Sequence, residues 1–178
     1  MPPTGAVQDP PGPGSAGAPP ASEHEDLSST PAEVVRRLLA LEDEPARHRF
    51  LGQRLGACDA EELLVLLKAE SERYWHVDPH ISLRAAETLI DAARLAGQPY
   101  HEALGLMAKG DALRFLGRYP ESLPFFERAA EAFLAQGHEV GWARTRIGWL
   151  HTMHLLGRGE EALAVAERAR EILIGHEE

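Results

Sequence analysis

One block of sequence occurs twice in this chain, 40 residues apart. The same offset relates an earlier segment to the first copy, since Ser82 and Glu87 precede Ser122 and Glu127 by one period. A fixed period of this length predicts stacked supersecondary units rather than one irregular domain. The identical residues of the two main copies are Leu116, Gly117, Arg118, Glu121, Leu123, Glu127, Arg128, Ala129 and Glu131, which recur at positions 156, 157, 158, 161, 163, 167, 168, 169 and 171.

Capping residues mark the helix boundaries inside these units. Thr30, Pro31 and Glu33 have the spacing of a capping box, Asp59 with Glu62 repeats it, and Asp43 or Glu44 should cap a helix from Pro45. No segment alternates apolar and polar residues, so strands are not expected. The sequence predicts an all-α solenoid of antiparallel helix hairpins. Its later helices should span 79–97, 99–117, 120–137, 141–156 and 160–174.

The first of the two copies resembles the tetratricopeptide repeat family. The resemblance implies a right-handed superhelix in which Gly110 and Ser122 let two helices approach closely. A period of 40 residues exceeds the usual length of about 34. It is similar to the extended arrays of bacterial signalling proteins that precede CHAT peptidase or NTPase modules. The resemblance is carried by Gly110, Leu113, Leu116, Gly117, Arg118, Tyr119, Glu121, Ser122, Leu123, Phe126 and Ala129.

The chain divides into three parts by composition and pattern. Seven of its thirteen prolines lie in the first twenty residues, so residues 1–27 are expected to be a disordered arm. Residues 28–57 are expected to be a capping hairpin, and 58–178 to be repeats, with boundaries near 58–97, 98–137 and 138–178. Pro124 falls inside a predicted helix, which the sequence does not explain.

Composition argues against several classes of function. The net charge of −10 disfavours nucleic acid as a partner, and no apolar run is long enough for a membrane span. With no secretory signal and only Cys58 as a thiol, we expect a cytoplasmic protein. Gly-rich phosphate loops and nucleophile motifs are missing, so we expect neither catalysis nor a cofactor.

The resemblance implies a concave groove, lined by the first helix of each hairpin. A protein or peptide partner would be held by apolar anchors and oriented by Arg114 and Arg144 against a carboxylate. Met107 and Asp111 occupy positions where chaperone-binding members of the family carry lysine and asparagine, which disfavours chaperone tails. The groove positions carried over are Leu64, Leu67, Ser71, Tyr74, Leu104, Met107, Asp111, Arg114, Arg144, Ile147, His151 and His154.

Three other groups of residues have a functional and a structural interpretation. His151 and His154 could chelate a metal ion with Asp111, but no HExxH pattern or cysteine partner accompanies them, so no metal site is expected. Trp142 and Trp149 are seven residues apart, and we expect them to pack between layers rather than to stack on a ligand. The same structural interpretation applies to the pair Tyr74–Trp75.

Apolar residues at the end of the last predicted helix suggest an uncovered face. Ile172, Leu173 and Ile174 give that helix no polar outer side. Three explanations stay open: a longer protein, self-association through the C-terminal helix, or docking on an effector subunit. We therefore expect an interaction scaffold that uses the groove or this end. The alternative is a sensor or regulatory part of a larger bacterial signalling, CHAT peptidase or NTPase assembly.

Overall fold

A computed structural model describes residues 29–176 of the chain. This described part contains no strand, which confirms the all-α prediction. The predicted arm, residues 1–27, lies outside it. The helices are α1 (Pro31–Ala40), α2 (Glu44–Arg54), α3 (Ala60–Arg73), α4 (Pro79–Leu95), α5 (Pro99–Phe115), α6 (Tyr119–Ala135), α7 (Glu139–Leu155) and α8 (Leu163–Ile174), with a 3-10 turn at Glu160–Ala162 before α8.

The first three helices begin at the predicted side-chain caps. In the capping box of α1, Glu33 N donates to Thr30 Oγ1 and Thr30 N donates to Glu33 Oε2. Asp43, not Glu44, caps α2, because Ala46 N donates to Asp43 Oδ2 at 2.8 Å. Asp59 accepts from Glu62 N in the same way. These bonds satisfy backbone donors that have no partner within the helix.

Helices α4 to α7 all end in the same way, once every 20 residues. Gly97, Gly117, Gly137 and Gly157 have φ between 64° and 74°. In each case the N–H after the glycine reaches back to close the helix, as when Arg118 N donates to Leu113 O at 2.9 Å. This Schellman motif needs a left-handed residue, which glycine adopts without steric cost. The glycines therefore set where each helix stops.

From α3 to α8 each helix packs against the next, whereas α2 packs against α1 and α4. Helices α3, α5 and α7 also contact one another across successive hairpins. At the N-terminal end, α1 covers one side of α3, where Val35 and Leu38 are buried with Leu64 and Leu67. The result is a helical solenoid with its core between the layers. Its division into repeats near 58–97, 98–137 and 138–178 stays a prediction.

Phe126 of α6 lies between two glycines from neighbouring helices. A Cβ at Gly110 would lie 2.8 Å from its ring, and one at Gly148 would lie 2.7 Å from Cζ. Phe126 itself is fully buried. The close approach expected at Gly110 is confirmed, and Gly148 supplies a second one between α6 and α7.

Two predicted boundaries were wrong near the C-terminal hairpin. Helix α7 begins at Glu139, two residues before Gly141. Helix α8 begins at Leu163, after a 3-10 turn that starts at Glu160. The opening of α6 has Tyr119 and Pro120, whereas the second copy has Gly159 and Glu160. Without the proline that presets φ, the turn that leads into α8 is a tighter 3-10 turn.

The exposure of individual side chains explains Pro124 and the two tryptophans. Pro124 does lie inside α6, but it is exposed, and the carbonyl that loses its donor belongs to Pro120, which is also exposed. Water can therefore replace the lost bond. Trp142 and Trp149 are buried between layers, as predicted.

Candidate functional site: a groove across α3, α5 and α7

One groove of about 330 Å³ runs across the C-terminal part of α3 and the faces of α5 and α7. Each of three consecutive hairpins contributes side chains to it. Such a surface can follow an extended ligand across several repeats, because equivalent positions recur in register. Its lining residues are Glu72, Trp75, Met107, Asp111, Arg114, Arg144, Ile147, Gly148 and His151.

Half of the predicted groove residues line this groove, whereas three others are buried in the core. Met107, Asp111, Arg114, Arg144, Ile147 and His151 lie in its wall. Leu64, Leu67 and Ser71 have no exposed surface. Helix α1 covers the side of α3 on which the leucines lie, and the Ser71 hydroxyl donates to the carbonyl of Lys68. These three residues therefore belong to the core and not to a partner-binding surface.

Three further predicted residues lie elsewhere. Leu104 is half-buried against two hydrophobic clusters. Tyr74 lines a separate cavity of about 450 Å³ between α1 and α3. His154 is exposed at the end of α7, outside the groove lining. Trp75 takes the place expected for Tyr74, because α3 ends at Arg73 and the chain turns there.

The centre of the groove is an ion pair within α5. Arg114 donates to Asp111 Oδ1 through Nη2 at 3.0 Å and through Nε at 3.4 Å. Only 9% of Asp111 is exposed. Burial raises the pKa of the Asp111 carboxyl above its usual value, and the bond from Arg114 opposes that shift in part. The cation of Arg114 is therefore already engaged by the protein's own carboxylate.

An aromatic wall fixes Arg114 from a second side. The Trp75 and Phe115 rings stack with their centroids 5.5 Å apart and their planes 20° apart. Arg114 Cζ lies 4.3 Å from the centroid of Phe115. Within residues 29–176, the buried Trp75 Nε1 has no hydrogen-bond partner. This stacked pair is apolar, with one indole donor within it, and Trp75 is its member in the groove lining.

The side formed by α7 is more open. Gly148 lets this helix approach α5, since a Cβ there would lie 2.9 Å from Asp111 Oδ1. Ile147 is 58% exposed, and Arg144 and His151 are exposed as well. Among residues 29–176, Arg144 has no carboxylate within ion-pair distance, whereas Glu72 pairs with Lys68. As far as residues 29–176 are concerned, Arg144 is thus the free guanidinium of the groove.

The metal hypothesis is not supported by the geometry. Within the described part of the chain, no group of three or more His, Cys, Asp and Glu side chains is placed to hold a metal ion. His151 shares the groove with Asp111, but His154 lies outside it. Within the described residues, His151, His154 and Asp111 are therefore not grouped as such a chelate would require.

The fold is that of a helical-repeat protein with an open groove across α3, α5 and α7. Residues 101–174, which span α5 to α8, match the family model described as tetratricopeptide repeat. This match supports the resemblance to the tetratricopeptide repeat family that the sequence predicted, and repeats of this kind support a general role in protein–protein interaction. The searches of curated proteins and of solved structures gave no significant match. None of the helices within residues 29–176 has the length and hydropathy needed to cross a bilayer.

Proposed function

We propose that the groove across α3, α5 and α7 binds an extended peptide segment of a protein partner. The observation that carries this proposal is that one open groove draws its lining from three consecutive hairpins. A peptide lying along it would contact each hairpin in turn. The scaffold function then follows from holding that partner along the array.

The lining suggests the chemistry of the peptide. Exposed Ile147 and half-buried Met107 offer an apolar surface for one side chain. Arg144 is exposed and unpaired within residues 29–176, so it is available to a carboxylate of the ligand. Arg114 is held by Asp111 and by Phe115, so it shapes the groove rather than supplying a free charge. We therefore expect a peptide with an acidic residue next to an apolar one.

A random peptide display screen against the full chain tests this proposal. Enriched peptides should carry the acidic–apolar pair. Arg144→Glu and Ile147→Asp should each weaken their binding about tenfold or more. Arg49→Glu makes the same charge change on α2, away from the groove lining, and should leave binding unchanged. Peptides that bind all three variants equally well would place the binding surface elsewhere.

A regulatory role in a larger signalling, peptidase or NTPase assembly is the alternative hypothesis. It requires a stable complex with an effector subunit and a change of effector activity when the groove is filled. A neighbouring reading frame for such an effector, followed by co-purification with this chain, would support it. A groove ligand that leaves the effector's activity unchanged would argue for the scaffold function alone.

A further inference from the structure

A second surface of interest is the outer side of α7 and α8, which we call the end face. It surrounds a shallow, mostly apolar depression of about 260 Å³. Ile147 and Ile174 are 58% and 49% exposed there, and Ala166 and Leu173 lie between them. This face is distinct from the groove, although Ile147 borders both.

The 40-residue offset relates the end face of α8 to the side of α6 that packs against α7. Ala166 and Leu173 on α8 are the equivalents of Phe126 and Phe133 on α6. On α6, both positions are covered by α7, whose Gly148 and Gly141 lie directly over the two rings. Large side chains from one helix thus meet glycines seven residues apart on a helix that runs in the opposite direction. On α8, no further helix within residues 29–176 lies over the equivalent positions, and Ala166 and Leu173 are only half-buried.

We propose that a second copy of this chain covers the end face, with the two α8 helices packed antiparallel. A two-fold axis between positions 169 and 170 places Leu173 on Ala166 of the second copy, and Ala166 on the second copy's Leu173. This arrangement repeats the large-on-small contact, the seven-residue spacing and the antiparallel direction seen between α6 and α7. Because both contacts come from one patch, the interface is self-complementary and closes as a dimer.

The same axis has a consequence for charge. Arg170, which also lines the end face, lies next to the axis, so the two guanidinium groups of the dimer face each other. Like charges at this distance weaken association. Arg170→Ala is therefore expected to tighten the dimer. This inference does not depend on peptide binding in the groove.

Sedimentation equilibrium of the full chain over a concentration series is the first test. Wild type should change from monomer to dimer mass, and Ala166→Leu should raise the dissociation constant about tenfold or more by setting leucine against leucine. The double variant Ala166→Leu/Leu173→Ala restores the large-on-small contact and should recover the dimer. Leu95→Ala changes a half-exposed leucine on α4 and serves as the control.

Disulfide trapping tests the direction of packing. In a Cys58→Ser background, Arg170→Cys places a thiol beside the axis, so oxidation with diamide should give a covalent dimer. Arg158→Cys, in the exposed turn after α7, should give little. A chain that remains monomeric at all concentrations overturns the proposal. So does a dimer that is insensitive to Ala166→Leu, or one that the Arg170→Cys variant does not trap.

Discussion

Arg114 directs two donors, Nη2 and Nε, to the single oxygen Oδ1 of Asp111, one turn earlier on α5. The acceptor is nearly buried, with 9% of the residue exposed. Desolvation raises the pKa of Asp111 more than the guanidinium lowers it. The charged form of this carboxylate is therefore a net cost to the folded state, and it is located at the centre of the groove.

The pH dependence of stability should reveal this cost. The pKa of Asp111 in the folded state lies above its ordinary value of 3.8. At pH values between the unfolded and the folded pKa, the folded state therefore keeps a proton that the unfolded state has lost. The free energy of unfolding of wild type should fall relative to Asp111→Asn as the pH rises from about 3 to 8. Urea melts of both proteins across this range measure the difference.

A surface carboxylate provides the control of opposite sign. The bond from Arg158 lowers the pKa of Glu161. Wild type should therefore gain slightly in stability relative to Glu161→Gln over the acidic range, and keep that gain at neutral pH. A wild type that gains stability relative to Asp111→Asn as the pH rises would contradict the interpretation of the buried pair.

Gly148→Ala should destabilise the protein by about 1 to 3 kcal/mol, although alanine is the better helix former. The added Cβ would lie 2.7 Å from Phe126 Cζ and 2.9 Å from Asp111 Oδ1, so α7 must move outward. Gly52→Ala on α2 is the matched control, because nothing lies within 4 Å of its Cβ. It should be stabilising by about 0.5 to 1 kcal/mol. Equal effects in thermal melts would mean that the close packing around Phe126 is not essential.

Gly137→Ala should cost about 1 to 2 kcal/mol for a different reason. Its Cβ has open space, but φ is +73°, and the Schellman closure of α6 depends on that conformation. Gly56→Ala also meets no atom within 4 Å and has no such φ, so we expect less than about 0.5 kcal/mol. Chemical denaturation of the two variants measures the difference in their free energies of unfolding. Similar losses of stability in both would argue against backbone strain at position 137.

Arg146→Ala should cost about 2 kcal/mol. The Arg146 guanidinium carbon lies 5.3 Å from the Trp142 ring and 5.2 Å from the Trp149 ring, and Nη1 donates to Glu127 Oε2 at 2.9 Å. Arg144→Ala, on the exposed face of the same helix, should change stability by less than about 0.5 kcal/mol. Urea melts compare the two, and an equal response would show that the tryptophan contacts contribute little.

Local signals in the sequence were sufficient for much of the fold. Thr30, Asp43 and Asp59 cap the helices that follow them, and the glycines at positions 97 to 157 close the helices that precede them. Capping and left-handed turns involve only a few neighbouring residues, so they can be predicted from a short stretch of sequence. The predicted start of α8 was wrong because the second copy lacks the proline that opens α6.

The groove was only half predictable, because the 40-residue register assumes that every hairpin has the same neighbours. This assumption agrees with the structure on α5 and α7, where Met107 and Ile147 line the groove. It failed on α3, where α1 covers Leu64 and Leu67, and where the helix ends before Trp75. Equivalent positions share a surface only when the elements packed on them are equivalent too.

The sequence by itself determined the helices, their caps and their period, since these depend on contacts within a few residues. Only the tertiary structure decided which side chains face the groove, how Asp111 and Arg114 are buried together, and which face of α8 has nothing packed on it within residues 29–176. Those features depend on what neighbouring helices cover, and burial is a property of the packed array rather than of any one segment.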